Sequence, residues 1–272
     1  MKEIIYLIAN YDFISRAFFA GLAVSLCASL LGVTIVLRRL SMIGDGLSHI
    51  SFGAMAFAAA IGFAPLKFAI PASALASVVL FRLGGRKMKG DSSIAVISSG
   101  ALALGIIMIS YSGSGTDMNS YLIGSLYSAS QNDLVASLLL CCAVLICFVF
   151  FYHRIFSVTF DADFSKATGS NVCFIENLLA VLTSLTVVIG MRLMGALLIS
   201  SLIVFPALSA MCVFRSFFSV TLCSFVVSIV SFLVGFMRTL VFDAIPTGAC
   251  ITTVNLIIFA LFSLLSVKKH YL

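Results

Sequence analysis

The sequence predicts an all-α, polytopic integral membrane protein with eight or nine transmembrane helices and one short helix at the membrane face. Three observations carry this. Of the 272 residues, 62% are hydrophobic and 10% charged, with a mean hydropathy of +1.21, whereas a soluble domain carries about 25% charge. Apolar runs of about 20 residues, enough to cross a bilayer as a helix, recur along the chain. Basic residues concentrate in every second connection between those runs, as the positive-inside rule requires of a multi-pass protein.

The runs lie near 15–37, 42–63, 65–83, 94–111, 133–152, 173–190, 193–212, 216–237 and 248–267. Strict alternation from a cytoplasmic Arg38-Arg39 puts 82–93, 153–171, Arg215 and Lys268-Lys269 inside. That side then holds eleven of the sixteen Lys and Arg residues, leaving Lys2, Arg16, Lys67, Arg192 and Arg238 at outer ends. The C-terminus is predicted to be cytoplasmic, and nine crossings leave the N-terminus outside. Met1-Lys2-Glu3 and the mixed stretch to Asp12 offer no small-residue cleavage site, so no removable signal peptide is predicted. No segment is long or polar enough for a soluble domain, and residues 1–272 read as one membrane domain.

Several functions are disfavoured at once. The net charge of +6 is spread over span ends, which gives no surface for nucleic acid. Eight cysteines form no Cys-x-x-Cys pair and sit in apolar runs, where free Cys packs as a small hydrophobe. Gly84-Gly85-Arg86-Lys87 lacks the spacing of a phosphate-cradling loop, so any ATP is hydrolysed on another chain. No Ser/His/Asp or multi-carboxylate constellation supports a membrane enzyme, and no catalytic residue or permanently bound cofactor is assigned.

Ionisable groups inside a span are costly and mark functional candidates. The clearest lie in Ser41-Met42-Ile43-Gly44-Asp45-Gly46-Leu47-Ser48-His49. Asp45 and His49 are four apart, on one helix face, and roughly 10–15 Å in from Arg38-Arg39 at 1.5 Å per residue. A carboxylate and an imidazole form an N/O donor pair for Zn²⁺ or Mn²⁺. Equally, they form an Asp–His hydrogen bond in a helix interface that Gly44, Gly46 and Ser48 make narrow. His153 and His270 fall at span ends. Arg192 reads as a snorkelling cation. Pro206 predicts a kink in its span, with Ser200 and Ser201 available to the freed backbone groups. In 158–170, Asp161 or Asp163 can cap a short helix that Gly169 ends, an amphipathic element suited to docking a partner. Asp243 and Pro246 mark an outer turn before the last span.

In order and spacing these motifs are jointly specific. Leu37 to His49, Tyr121-Leu122-Ile123-Gly124-Ser125-Leu126, Asp163 to Gly169, Met194-Gly195-Ala196-Leu197-Leu198-Ile199-Ser200-Ser201 with Pro206-Ala207, and Asp243 with Pro246-Thr247-Gly248 resemble the membrane permeases of bacterial zinc/manganese/iron ABC uptake transporters. The resemblance spans about residues 14–266 and looks closest to the high-affinity zinc permeases. It implies a homodimer in the bacterial inner membrane, two ATPase subunits on the cytoplasmic face and an extracytoplasmic metal-binding protein on the outer face. It places Asp45 and His49 on the path of the transported ion, Zn²⁺ or else Mn²⁺ or Fe²⁺. It makes Asp161, Asp163, Phe164, Lys166, Ala167 and Gly169 the segment that couples to the ATPase, and Asp243 and Pro246 part of an outer gate. Some manganese-type relatives carry histidines in later spans, which this chain lacks. The alternative is a stand-alone secondary metal transporter, which predicts internal repeats that the sequence does not display.

Overall fold

The computed structural model describes residues 10–84, 90–112, 124, 126–241 and 246–270. Among them there is no strand, and the chain is a bundle of helices: α1 (Asp12–Leu37), α2 (Ile43–Ala60), α3 (Pro65–Gly84), α4 (Gly90–Ser112), α5 (Gln131–Phe150), α6 (Tyr152–Phe160), α7 (Ala162–Ala167), α8 (Val172–Met194), α9 (Ala196–Val213), α10 (Phe217–Val241) and α11 (Thr247–His270). Eight of these are long and apolar enough to cross a membrane. The ninth long helix, α2, falls short because Asp45, His49 and two serines dilute its 18 residues. It still belongs to the bundle, packed between α4, α3 and α9. All nine predicted runs are therefore helical. The stretch 153–171, read as a loop with one short helix, instead carries two, because Ile155 and Val158 bury one side of α6.

α1 is the centre. In its most apolar stretch 78% of residues are buried, and α5, α8, α9 and α10 all pack on it. In a bilayer the hydrophobic effect does not drive helices together, so small residues and hydroxyls must hold this contact. They do so on two sides of α1, and between α4 and α2 as well. A methyl group at Gly32 would fall 2.0 Å from the Ile203 carbonyl oxygen of α9, so the two backbones touch there. Ser224 and Ser228 of α10 donate to the backbone carbonyls of Ser29 (3.2 Å) and Ser25 (2.9 Å). α4 crosses α2 through Gly53 and Gly105, where a methyl on Gly105 would lie 2.7 Å from Gly53 Cα.

Two further crossings are polar too. Ser77 of α3 donates to the Ala180 carbonyl of α8 at 2.7 Å, and the hydroxyls of Ser201 and Thr252 meet at 3.1 Å between α9 and α11. One correction concerns Pro206. It lies inside a continuous α9, but Ser200 and Ser201 do not serve the carbonyl it frees. Their hydroxyls are committed to Ala196 (3.0 Å) and Leu198 (2.8 Å), upstream of Leu202, the i−4 residue whose partner proline removes.

Candidate functional site

The site begins at the elbow between α1 and α2. Arg39 N–H donates to Val36 O at 3.0 Å and Leu40 N–H to Ile35 O at 3.1 Å, the paired bonds of a Schellman cap. That cap demands a left-handed residue, usually glycine, yet Arg39 holds φ +59°. The conformation costs roughly 1–2 kcal/mol for a residue with Cβ. What holds it is Arg38, whose guanidinium pairs with Glu176 of α8 and lies 5.8 Å from the centroid of Phe81 in α3. Three helices are thus tied at one end, and the entry angle of α2 is set there. Asp91 of α4 adds a fourth tie, its carboxylate accepting from Met42 N–H at 3.4 Å.

From that elbow α2 runs between α4 and α9. Gly46 faces α4, where a methyl would lie 2.3 Å from Ile94, and Gly44 faces Ser200 and Ile203 of α9. Positions 44 and 46 point about 200° apart on a helix, so Asp45 projects into the open sector between them, while buried Leu47 occupies the opposite side. His49 stands one turn on, its Nε2 3.4 Å from Asp45 Oδ2. A carboxylate in the first turn also suits the positive end of the helix dipole.

The two side chains are only partly covered, Asp45 at 47% exposure and His49 at 28%, although both belong to the span series. His49 Nδ1 is buried without a hydrogen-bond partner among the described residues. Among those residues no three His, Cys, Asp or Glu side chains gather. One chain thus offers a carboxylate oxygen and an imidazole, a two-donor surface that a first-row divalent ion can engage without a closed cage.

At the far end of the bundle, α8 and α9 are joined by one residue. Gly195 adopts φ +87°, ψ 159°, a region essentially closed to other residues. Gly124 (φ +76°) presses against it, and a methyl there would be 2.2 Å from Gly195 N. A shallow, water-sized cleft opens beside them, lined by Gly124, Leu126, Met194, Leu198, Thr247 and Gly248. Pro246, exposed, precedes α11 there. Asp243 lies outside the described residues, as do Tyr121 to Ile123.

The third predicted element is α7. The Asp161 side chain accepts from Phe164 N–H at 2.8 Å, and Gly169 closes the helix at φ +82° with Ser170 N–H bonded to Ser165 O at 3.0 Å. The cap residues are therefore those the sequence nominated. Buried Ser165 meets Ser157 of α6, while Asp163, Lys166 and Ala167 are exposed and Phe164 is 62% exposed. α7 lies at the Arg38 end of the bundle, since it sits between the last residue of α5 and the first of α8.

Sequence reasoning missed two ion pairs. Arg192 is not a lone snorkelling cation: it donates to Asp133 at 2.7 Å, and Asp133 also closes a capping box with Ser130 at the start of α5. Ser130 followed at three residues by an acid was the available signal. The Arg38–Glu176 pair, 138 positions apart in sequence, left no local trace.

Against known proteins, a family model described as the ABC 3 transport family matches residues 10–266. The manganese import system permease protein ScaB of Streptococcus gordonii is 27% identical over 100% of this chain and 98% of its own length. The high-affinity zinc uptake system membrane protein ZnuB of Buchnera aphidicola is 29% identical over 96% of this chain and 99% of its own. Among solved structures, PsaBC from Streptococcus pneumoniae in complex with Fab superposes with a TM-score of 0.83 at 27% identity, covering 96% of this chain and 94% of the matched one.

Proposed function

This chain belongs to the ABC 3 transport family, and from that premise we propose that it passes Zn²⁺ across the membrane along a path on which Asp45 and His49 of α2 hold the ion. By its family and relatives the chain is a multi-pass permease of a bacterial metal ABC transporter, and ATP hydrolysis belongs to a separate subunit. The observation that carries the finer reading is the Asp45–His49 pair, 3.4 Å apart on the open face of α2. A transported ion has to leave as well as bind, so two donors per chain suit a permease better than a four-ligand site.

The open sector around Asp45 supports a homodimer in which a second copy brings its own Asp45 and His49 to the same path. In this reading the Arg38 end is cytoplasmic, as is the C-terminus. There the exposed Phe164, Asp163, Lys166 and Ala167 of α7 sit in a groove of the ATPase, with Asp161 and Gly169 shaping the helix. An extracytoplasmic metal-binding protein docks at the Gly195 end, where Pro246 and Asp243 border the gate.

The test is uptake of Zn²⁺ by proteoliposomes holding the assembled complex. Asp45→Ala and His49→Ala each reduce uptake at least about tenfold, the loss of one charged ligand interaction; undiminished uptake in both variants removes the path assignment. A second reading, Mn²⁺ as cargo, is favoured by the name of the ScaB relative. Competition between the two ions in the same vesicles decides, because N/O donors alone do not separate them.

A further inference from the structure

Asn255 is an oddity in a lipid-facing helix. It is 0% exposed, and neither its Nδ2 nor its Oδ1 has a hydrogen-bond partner among the described residues. An unpaired amide buried in a span is expensive, and nothing in the ion path uses it, since α11 packs on α9 and α10 rather than on α2.

Its direction follows from its neighbours. Ile251 packs on Gly235 of α10, with a methyl on that glycine 2.5 Å from Ile251 Cγ1. Thr252 meets Ser201 of α9 at 3.1 Å. At about 100° per residue, Asn255 projects between these two directions, into the seam where α9 and α10 meet.

The same seam holds a carbonyl that proline deprives of its helical donor. On α9, Ser201 faces α11 and the Ile203 carbonyl faces Gly32 of α1, while Gly44 of α2 lies against Ser200. Ile199 meets Gly190 of α8, and Pro206, seven residues on, shares that face; Leu202 falls between it and the Ser201 face, on the side left for α10, and is 0% exposed. Pro206 has no N–H to give the Leu202 carbonyl. The heights agree as well. α9 and α11 run parallel, Ser201 beside Thr252 and Phe205 beside Phe259, so Asn255 stands about one turn above Thr252, and the Leu202 carbonyl, one residue past Ser201 and directed along the axis toward Pro206, lies close to that level. The hydroxyls nearby are spoken for: Thr252 donates to Gly248 (2.8 Å) and Ser231 to Ser228 (3.0 Å).

We infer that Asn255 is the positioning residue for movement of α9 at Pro206: its amide is held in reserve and donates to the Leu202 carbonyl when α9 bends or straightens as access switches. The switch then gains a hydrogen bond that this conformation lacks, and α9, which borders the Asp45 path through Gly44, is the helix it moves. The inference rests on the permease function, which uptake of Zn²⁺ or Mn²⁺ by the unaltered complex tests separately.

The experiment is a double-mutant cycle in that complex, reconstituted with its ATPase, reading maximal uptake rate and half-saturating metal concentration. Asn255→Leu lowers the maximal rate about threefold, the worth of a typical interhelical hydrogen bond in a membrane, and leaves half-saturation unchanged. Pro206→Ala, which returns an N–H to Leu202, gives a similar fall. The double variant is no slower than Pro206→Ala alone. Co-purification with the ATPase certifies assembly, and Asn255→Ala serves the same cycle if the leucine variant does not assemble. An unchanged rate in the Asn255 variant, a fall that is additive with Pro206→Ala, or an effect confined to half-saturation overturns the inference.

Discussion

Arg38 and Asp133 show how single residues hold this bundle where hydrophobic burial cannot. Each charge ties distant parts of the chain, Arg38 to Glu176 and Phe81 at one end, Asp133 to Arg192 and Ser130 at the other. Asp133 carries two jobs, so Asp133→Ala removes a helix cap and leaves a cation without its partner. We predict a loss of about 1–3 kcal/mol, read as a lower unfolding midpoint of the protein in detergent, while Asp133→Asn keeps the cap and loses less. Asp45 and His49 were legible from the sequence because an ionisable pair four apart inside an apolar run is costly to insert and stands out against its neighbours. The pairing of Arg192 was not, since a cation at a span end looks the same whether or not a carboxylate from another helix awaits it. Asn255 escaped notice for a related reason: an amide in an apolar run carries no charge to betray it.

Helices are held at fixed distances by glycines whose roles differ sharply. A methyl at Gly32 would strike a backbone oxygen of α9 at 2.0 Å, whereas one at Gly44 would press on the end of the Ile203 side chain at 3.0 Å and reach the Ser200 backbone only at an ordinary 3.6 Å. Backbone cannot yield as a side-chain methyl can. Gly32→Ala therefore lowers the yield of folded protein in the membrane severely, and Gly44→Ala leaves it close to normal, as immunoblotting of detergent extracts with size-exclusion profiles will report. For α7, Phe164→Ala leaves the permease folded, because the ring is exposed, yet weakens its co-purification with the ATPase. Eight of the nine long helices among the described residues could be read from apolar length alone, and α2 from the apolar run that follows its Asp45 and His49. α6 could not, because its single buried stripe of Ile155, Val158 and Thr159 is too short for a periodic signal, and neither could the contacts between helices, which rest on small residues found throughout the spans.

Across the whole molecule, alternation of the nine long helices among the described residues predicts that Asp12 and the end of α11 lie on opposite sides. A fluorescent protein joined after Leu272 should be bright and an alkaline phosphatase joined there inactive, the pattern of a cytoplasmic terminus; the reverse pattern would invert the whole topology. The arrangement also bears on how the protein enters its membrane. α8 and α9 are separated by Gly195 alone, so no polar segment exists between them to be handed across first and no loop remains to anchor α8 while α9 is still being made. At about 1.5 Å per residue their 23 and 18 residues are each long enough to span the hydrocarbon, and the pair has to leave the insertion machinery side by side, as a hairpin. Biogenesis thus treats these 42 residues, Val172 to Val213, as one unit of insertion, and a ribosome stalled between them would hold α8 without a stable address in the bilayer.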